Sequence, residues 1–142
     1  MEFDELYQDI ILDHFRHPRN QRPLNEAEVL VDEENPTCGD HIRLTAKVEG
    51  GKITDVKYDG KGCAISTASA SMMSERLIGM TVPEARRLSA DFIALIRGEK
   101  PMSADELGEL AALEGVKEFP LRVKCATMAW HAAQSALDKL SA

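Results

Sequence analysis

The stretch from Ile42 to Tyr58 constrains the fold most. Ile42, Leu44, Ala46 and Val48 alternate with polar residues, Gly50-Gly51 interrupts the pattern, and Ile53 to Tyr58 resumes it. A period of two belongs to strands with one buried face. The paired glycines supply the backbone freedom that a tight hairpin turn demands. Glu28-Val29-Leu30-Val31-Asp32 reads as a shorter strand before them. The expectation is a three-stranded antiparallel sheet with one covered face.

Helices are predicted before and after these strands along the chain. Phe3, Leu6, Tyr7, Ile10, Ile11 and Phe15 recur at helical spacing until His17-Pro18 stops the pattern. From Ala64 the chain is rich in small residues, followed by Met72, Met73, Leu77 and Ile78. Its serines are read as close-packing residues, not as nucleophiles. Thr81 is placed to cap a further helix with Pro83 in its first turn and Gly98 as its stop. Met102 to Glu118 carries Leu107, Leu110 and Leu113 but also Gly108 and Gly115, which suggests a short helix inside a connecting excursion. A final helix is expected from near Pro120 through Met128, Trp130, Ala133 and Leu137.

With 142 residues and 44% hydrophobic composition, the chain fits one globular domain spanning 1–142. The residues after Met1 lack a basic start and an apolar run, and no apolar stretch is long enough to span a bilayer. A cytoplasmic protein, not associated with a membrane, is therefore expected. A formal charge of −7 opposes nucleic acid as a partner, because affinity for polyphosphate comes largely from neutralising phosphates.

Three cysteines lie in distinctive settings: Cys38 in Asn35-Pro36-Thr37-Cys38-Gly39-Asp40, Cys63 in Gly60-Lys61-Gly62-Cys63-Ala64, and Cys125 in Arg122-Val123-Lys124-Cys125-Ala126. In a reducing compartment an odd number of cysteines points to reactive or metal-bound thiols instead of a disulfide framework. Three thiolates with the Asp40 carboxylate would satisfy a tetrahedral metal site. Their long separations are unlike paired zinc-finger knuckles, so spacing alone does not choose between one shared site and three separate buried thiols. The hairpin does bring the Cys38 loop and the segment after the third strand to the same end of the sheet. Lys61, Arg122 and Lys124 are cationic neighbours that favour thiolates, or ordinary surface charges. The four histidines, His14, His17, His41 and His131, show no ligand spacing and read as surface or packing residues. Alternation turns His41 away from the face that Asp40 occupies.

The three cysteine motifs, in this order, resemble those of the U-type iron-sulfur cluster assembly proteins. Leu6-Tyr7 through Asp13-His14 and Pro18-Arg19-Asn20 extend the resemblance over nearly the whole chain. It implies a compact α+β fold in which the three-stranded sheet packs with about five helices. It also implies metal ligation by Cys38, Asp40, Cys63 and Cys125. Scaffold members of the family carry histidine immediately before the last cysteine, where this chain has Lys124, and a shorter connection than the stretch from Thr81 to Phe119. Both features resemble the SufU-type branch. That likeness implies Zn2+ as cofactor, Cys38 as acceptor of sulfur from a SufS-type cysteine desulfurase, and downstream iron-sulfur assembly proteins as recipients. Arg122 and Lys124 are then electrostatic support for a thiolate-rich site. The alternative is a scaffold that holds a labile Fe-S cluster on the same ligands.

Overall fold

The computed structural model describes residues 5–36 and 39–140, and side chains from Gln8 onward within that range. Cys38 and Phe3 lie outside it. Helix α1 (Glu5–Arg16) precedes strands β1 (Val31–Asn35), β2 (Asp40–Glu49) and β3 (Lys52–Lys61). Helices α2 (Ala64–Leu77), α3 (Val82–Ile96), α4 (Ala104–Leu107) and α5 (Pro120–Leu140) follow, with 3-10 turns at Glu26–Glu28 and Gly108–Glu118. The sheet is antiparallel in the order β1-β2-β3, so the α+β expectation of three strands and five helices holds.

The β2–β3 hairpin turns on Gly50 and Gly51, at φ 60° and 78°, the left-handed values of a two-residue hairpin loop. The pairing shifts register between Lys47 and Val48, where Lys47 faces Asp55 but Val48 faces Ile53. This bulge puts an extra residue in β3, so Ile53 and Val56 both point inward although three positions apart. Strict alternation would have sent one of them to solvent.

The first strand begins three residues later than the sequence suggested. Glu26–Glu28 closes a 3-10 turn in which the Glu28 amide donates to Asn25 O at 3.1 Å, and the Glu28 carboxylate receives the Asn25 amide at 3.1 Å and Arg22 Nη1 at 2.7 Å. Those local bonds hold Glu28 out of the ladder. Pairing starts at Val31↔Leu44 and ends at Asn35↔Asp40.

Two other segments hydrogen-bond along β3. The Arg22 amide donates to Tyr58 O, and the Tyr58 amide to Asn20 O. Nearer the hairpin turn, the Ile53 amide donates to Met80 O, Gly79 to Ile53 O and Val82 to Gly51 O. Helix α3 starts directly after this contact, with a Thr81–Glu84 capping box and Pro83 in the first turn, and Gly98 at φ 77° follows its last residues.

Helix α5 lies across β1 and β2, and α2 covers β3 and packs against both α1 and α5. At the centre Phe92 and Trp130 meet with ring centroids 4.8 Å apart, both fully buried. The Trp130 indole Nε1 donates to Ser69 Oγ at 3.0 Å, and Ser69 Oγ donates to Ala126 O at 2.5 Å. The small-residue helix α2 therefore packs closely against α5 through a satisfied polar relay. Among the described residues, no helix is long and apolar enough to cross a membrane.

Ser69→Ala is expected to leave the indole N–H buried without a partner and to lower unfolding free energy by about 1–3 kcal/mol. Urea denaturation followed by Trp130 fluorescence measures this, and an unchanged midpoint would contradict the relay.

Candidate metal centre

The end of the sheet opposite the Gly50-Gly51 turn gathers the candidate ligands. Asp40 opens β2 directly after the β1–β2 turn, and its neighbour His41 pairs with Lys61 at the end of β3. Cys63 lies two residues beyond that pair, and Cys125 comes from the second turn of α5. Asp40 is 2% and Cys125 1% exposed, whereas Cys63 is half-buried. One sulfur from each cysteine and one Asp40 oxygen lie within 4.8 Å of one another.

Local structure explains this convergence. Cys63 is the N-cap of α2, and its Sγ accepts the Ser66 amide at 3.5 Å while Ser66 Oγ donates to Cys63 O at 3.1 Å. A capping side chain accepts an amide that the helix leaves unpaired, and negative charge is favoured there. Asp40 Oδ1 accepts the Cys63 amide at 3.1 Å, and Oδ2 lies 3.9 Å from Cys63 Sγ. Two glycines make the close approach possible. Gly60, at φ 127°, leaves no room for a Cβ, which would meet His41 O at 2.1 Å. A Cβ on Gly62 would stand 2.0 Å from Ser66 Oγ and 3.0 Å from Asp40 Oδ1.

Cys125 sits deeper in its helix than a capping position. Pro120 begins α5, so the unpaired amides of the first turn belong to residues before Cys125. Its environment is set by the neighbouring side chains. The Arg122 guanidinium has its pKa raised, first by the charge of Cys63 and then by hydrogen bonding to Cys125. Arg122, three residues before Cys125 on α5, therefore acts on both sulfurs, and it and Lys124 are both exposed. Of the two basic residues expected to support the site, Arg122 is the one brought to it.

The donor set suits a thiophilic divalent ion. Around a tetrahedral zinc with Zn–S near 2.3 Å, neighbouring ligand atoms stand about 3.8 Å apart, so the three described donors need to close by at most about 1 Å. Cys38, the fourth candidate, lies outside the described residues and is separated from Asp40 only by Gly39. Neither Cys63 nor Cys125 is in a disulfide. His41 is directed elsewhere, to Asp32 Oδ1 at 2.5 Å, as alternation required.

The model of the NifU-like N terminal domain matches residues 6–126. This chain belongs to that family. The zinc-dependent sulfurtransferase SufU of Bacillus subtilis is 43% identical over 136 residues, covering 96% of this chain and 92% of the relative. The iron-sulfur cluster assembly scaffold protein IscU of Streptococcus pyogenes is 41% identical over 138 residues, covering 97% and 86%. A crystal structure of a putative iron-sulfur cluster assembly scaffold protein for the SUF system of Fervidobacterium islandicum superposes with a TM-score of 0.83 at 33% identity, covering 91% of this chain and 94% of that one. The three described donors of this NifU-like domain come from three separate parts of the chain, as its cysteine motifs implied.

Sequence reasoning missed the wall beside the cluster. A hollow of about 300 Å³ next to Cys63 is lined by Ala64, Ile65, Val116, Phe119 and Arg122. Two of these residues come from the end of the 102–119 excursion. Its long 3-10 run was foreshadowed by Leu107, Leu110, Leu113 and Val116, each three residues after the last and all buried. That period matches three residues per 3-10 turn.

Gly62→Ala is expected to push Ser66 and Asp40 apart at the N-terminus of α2 while leaving the sheet and the helical core in place. Zinc competition against a chromophoric chelator should show at least tenfold weaker binding, with far-UV circular dichroism retained. Unaltered zinc affinity would mean that the Asp40 position does not matter to the site.

Proposed function

We propose that this protein is a zinc-dependent sulfurtransferase of iron-sulfur cluster assembly, accepting sulfur from a cysteine desulfurase in the cytoplasm and relaying it to downstream assembly proteins. The convergence of Asp40, Cys63 and Cys125 within 4.8 Å carries the reading. The 43% identity to a zinc-dependent sulfurtransferase supports it. The proposed ligand set is Cys38, Asp40, Cys63 and Cys125. A bound zinc supplies Lewis acidity that keeps coordinating thiols ionised at neutral pH.

The chain's residues then perform a thiolate–persulfide exchange. The Cys38 thiolate attacks the terminal sulfur of the desulfurase persulfide, a new S–S bond forms on Cys38, and the old S–S bond breaks. The desulfurase cysteine leaves as a thiolate, and the electron count is unchanged. Cys63 caps a helix and Cys125 is buried within one, which leaves Cys38, expected from its sequence setting beside Gly39 to be the freest of the three, as the acceptor. Arg122 balances part of the negative charge of the Cys63 and Cys125 thiolates.

Lys124 favours this reading over the scaffold alternative, in which a labile Fe-S cluster is the cargo. A neutral histidine offers iron a lone pair, whereas a protonated lysine offers only charge. Incubation with a cysteine desulfurase and cysteine should add sulfur to Cys38, located by peptide mass spectrometry, and should raise desulfurase turnover. Cys38→Ser should abolish both while the fold persists. Normal labelling in that variant would overturn Cys38 as acceptor. Without any stimulation by the zinc form, a stoichiometric cluster that transfers intact to an apoprotein would make the scaffold reading the better one.

Removal of zinc should lower the melting temperature, because ligands contributed by separate segments couple binding to folding. Differential scanning calorimetry before and after chelation measures the shift. Identical transitions would show that the ion has no ordering role.

A further inference from the structure

A second group of ligand-type side chains lies away from the cysteines. His14 of α1 is 0% exposed, and its ring is fixed on both sides. Nδ1 lies 2.7 Å from Ser71 Oγ on α2, and Nε2 lies 3.0 Å from Glu109 Oε1 and 3.8 Å from Glu75 Oε1. All three ligand atoms lie within 4.8 Å of one another, and both carboxylates are about half exposed. The rise of α2 from Cys63 to Glu75 is about 18 Å, so this trio is separate from the cysteine cluster.

A structural clasp accounts for only half of this arrangement. One ring N–H serves one carboxylate, and the Glu109 contact uses it. A second carboxylate aimed at the same nitrogen brings two negative charges together, which is unfavourable unless a cation lies between them. Arg19 offsets this repulsion only in part: both carboxylates act on its charge, but its main partner is Asp13, with Nη2 2.7 Å from Asp13 Oδ2, and its Nε stays 3.9 Å from Glu75 Oε2.

We infer that His14, Glu75 and Glu109 form a second metal site, for a divalent first-row ion that accepts mixed nitrogen and oxygen ligands, such as Mn2+ or Fe2+. Bonds near 2.1 Å place neighbouring ligand atoms about 3 Å apart, close to the His14–Glu109 separation and a small closure from the His14–Glu75 one. The ring would then donate from Nδ1 to Ser71 Oγ and present its Nε2 lone pair to the ion. Metal-bound histidines are held in this way by an oxygen on their other nitrogen. Ser71 Oγ is itself positioned by the Arg19 amide at 2.9 Å. Two glutamates neutralise the divalent charge, and Arg19 with Asp13 forms a neutral pair alongside. Three protein ligands leave coordination positions open on the exposed side.

The test is a Mn2+ titration of the full chain already holding zinc, followed by electron paramagnetic resonance of free Mn2+, with zinc content checked at the end. One Mn2+ per chain is expected, bound at least tenfold more weakly by Glu75→Gln and by Glu109→Gln. Both changes are at half-exposed positions, so they report on the site even where a variant at buried His14 fails to fold. The inference is overturned if wild-type protein binds Mn2+ no more tightly than the Glu75→Gln/Glu109→Gln double variant, or if binding occurs only with loss of zinc.

Discussion

The hydrogen bond from the Cys63 amide to the Asp40 carboxylate joins the two halves of the molecule. A carboxylate 2% exposed must find donors, because its desolvation is otherwise prohibitive. Here the first residue of β2 takes the amide of the residue that caps α2, so the sheet ends where the helical layer begins. The same contact places a carboxylate oxygen beside a thiol. The Asp40 side chain thus both links the end of the sheet to the start of α2 and offers an oxygen to the cysteine cluster, and Gly60 and Gly62 keep the space it needs.

Much of this was legible in sequence because the relevant physics is local. Alternation at Ile42, Leu44, Ala46 and Val48, two adjacent glycines, and a Thr-Val-Pro-Glu helix start each act within a few residues. The U-type motifs identified the family, and the strand order explained how the Asp40 and Cys63 motifs meet. Less legible were features set by competition between neighbours. The bulge at Lys47–Val48 depends on how two strands pair, and the delayed start of β1 depends on Glu28 preferring Arg22 and Asn25 to the ladder. The placement of Arg122 beside the two sulfurs depends on which face of α5 meets Cys63.

The 3-10 run from Gly108 to Glu118 shows how a readable signal can be missed when compared with the wrong period. Leucines three apart fit an α-helical stripe poorly over this distance, but they align on one edge of a helix with three residues per turn. Continuing from Leu107 at the end of α4, this edge buries Leu110, Leu113 and Val116, with Ala112 buried beside it, and leaves the other intervening residues to other tasks. One of them, Glu109, reaches His14 from 95 residues away, tying the excursion to the first helix. The segment thus connects the periphery of α1 with the apolar wall beside Cys63.

The segments that bond along β3 have a further effect on how this molecule meets others. An uncovered strand edge is a template for another chain's backbone and a route to aggregation. On β3 that edge is occupied near one end by Asn20 and Arg22 and near the other by Gly79 to Val82, while the opposite outer strand, β1, is only five residues long. Intermolecular strand pairing is thereby discouraged along both margins of the sheet. Recognition is left to side chains and loops, which can release a partner after each encounter.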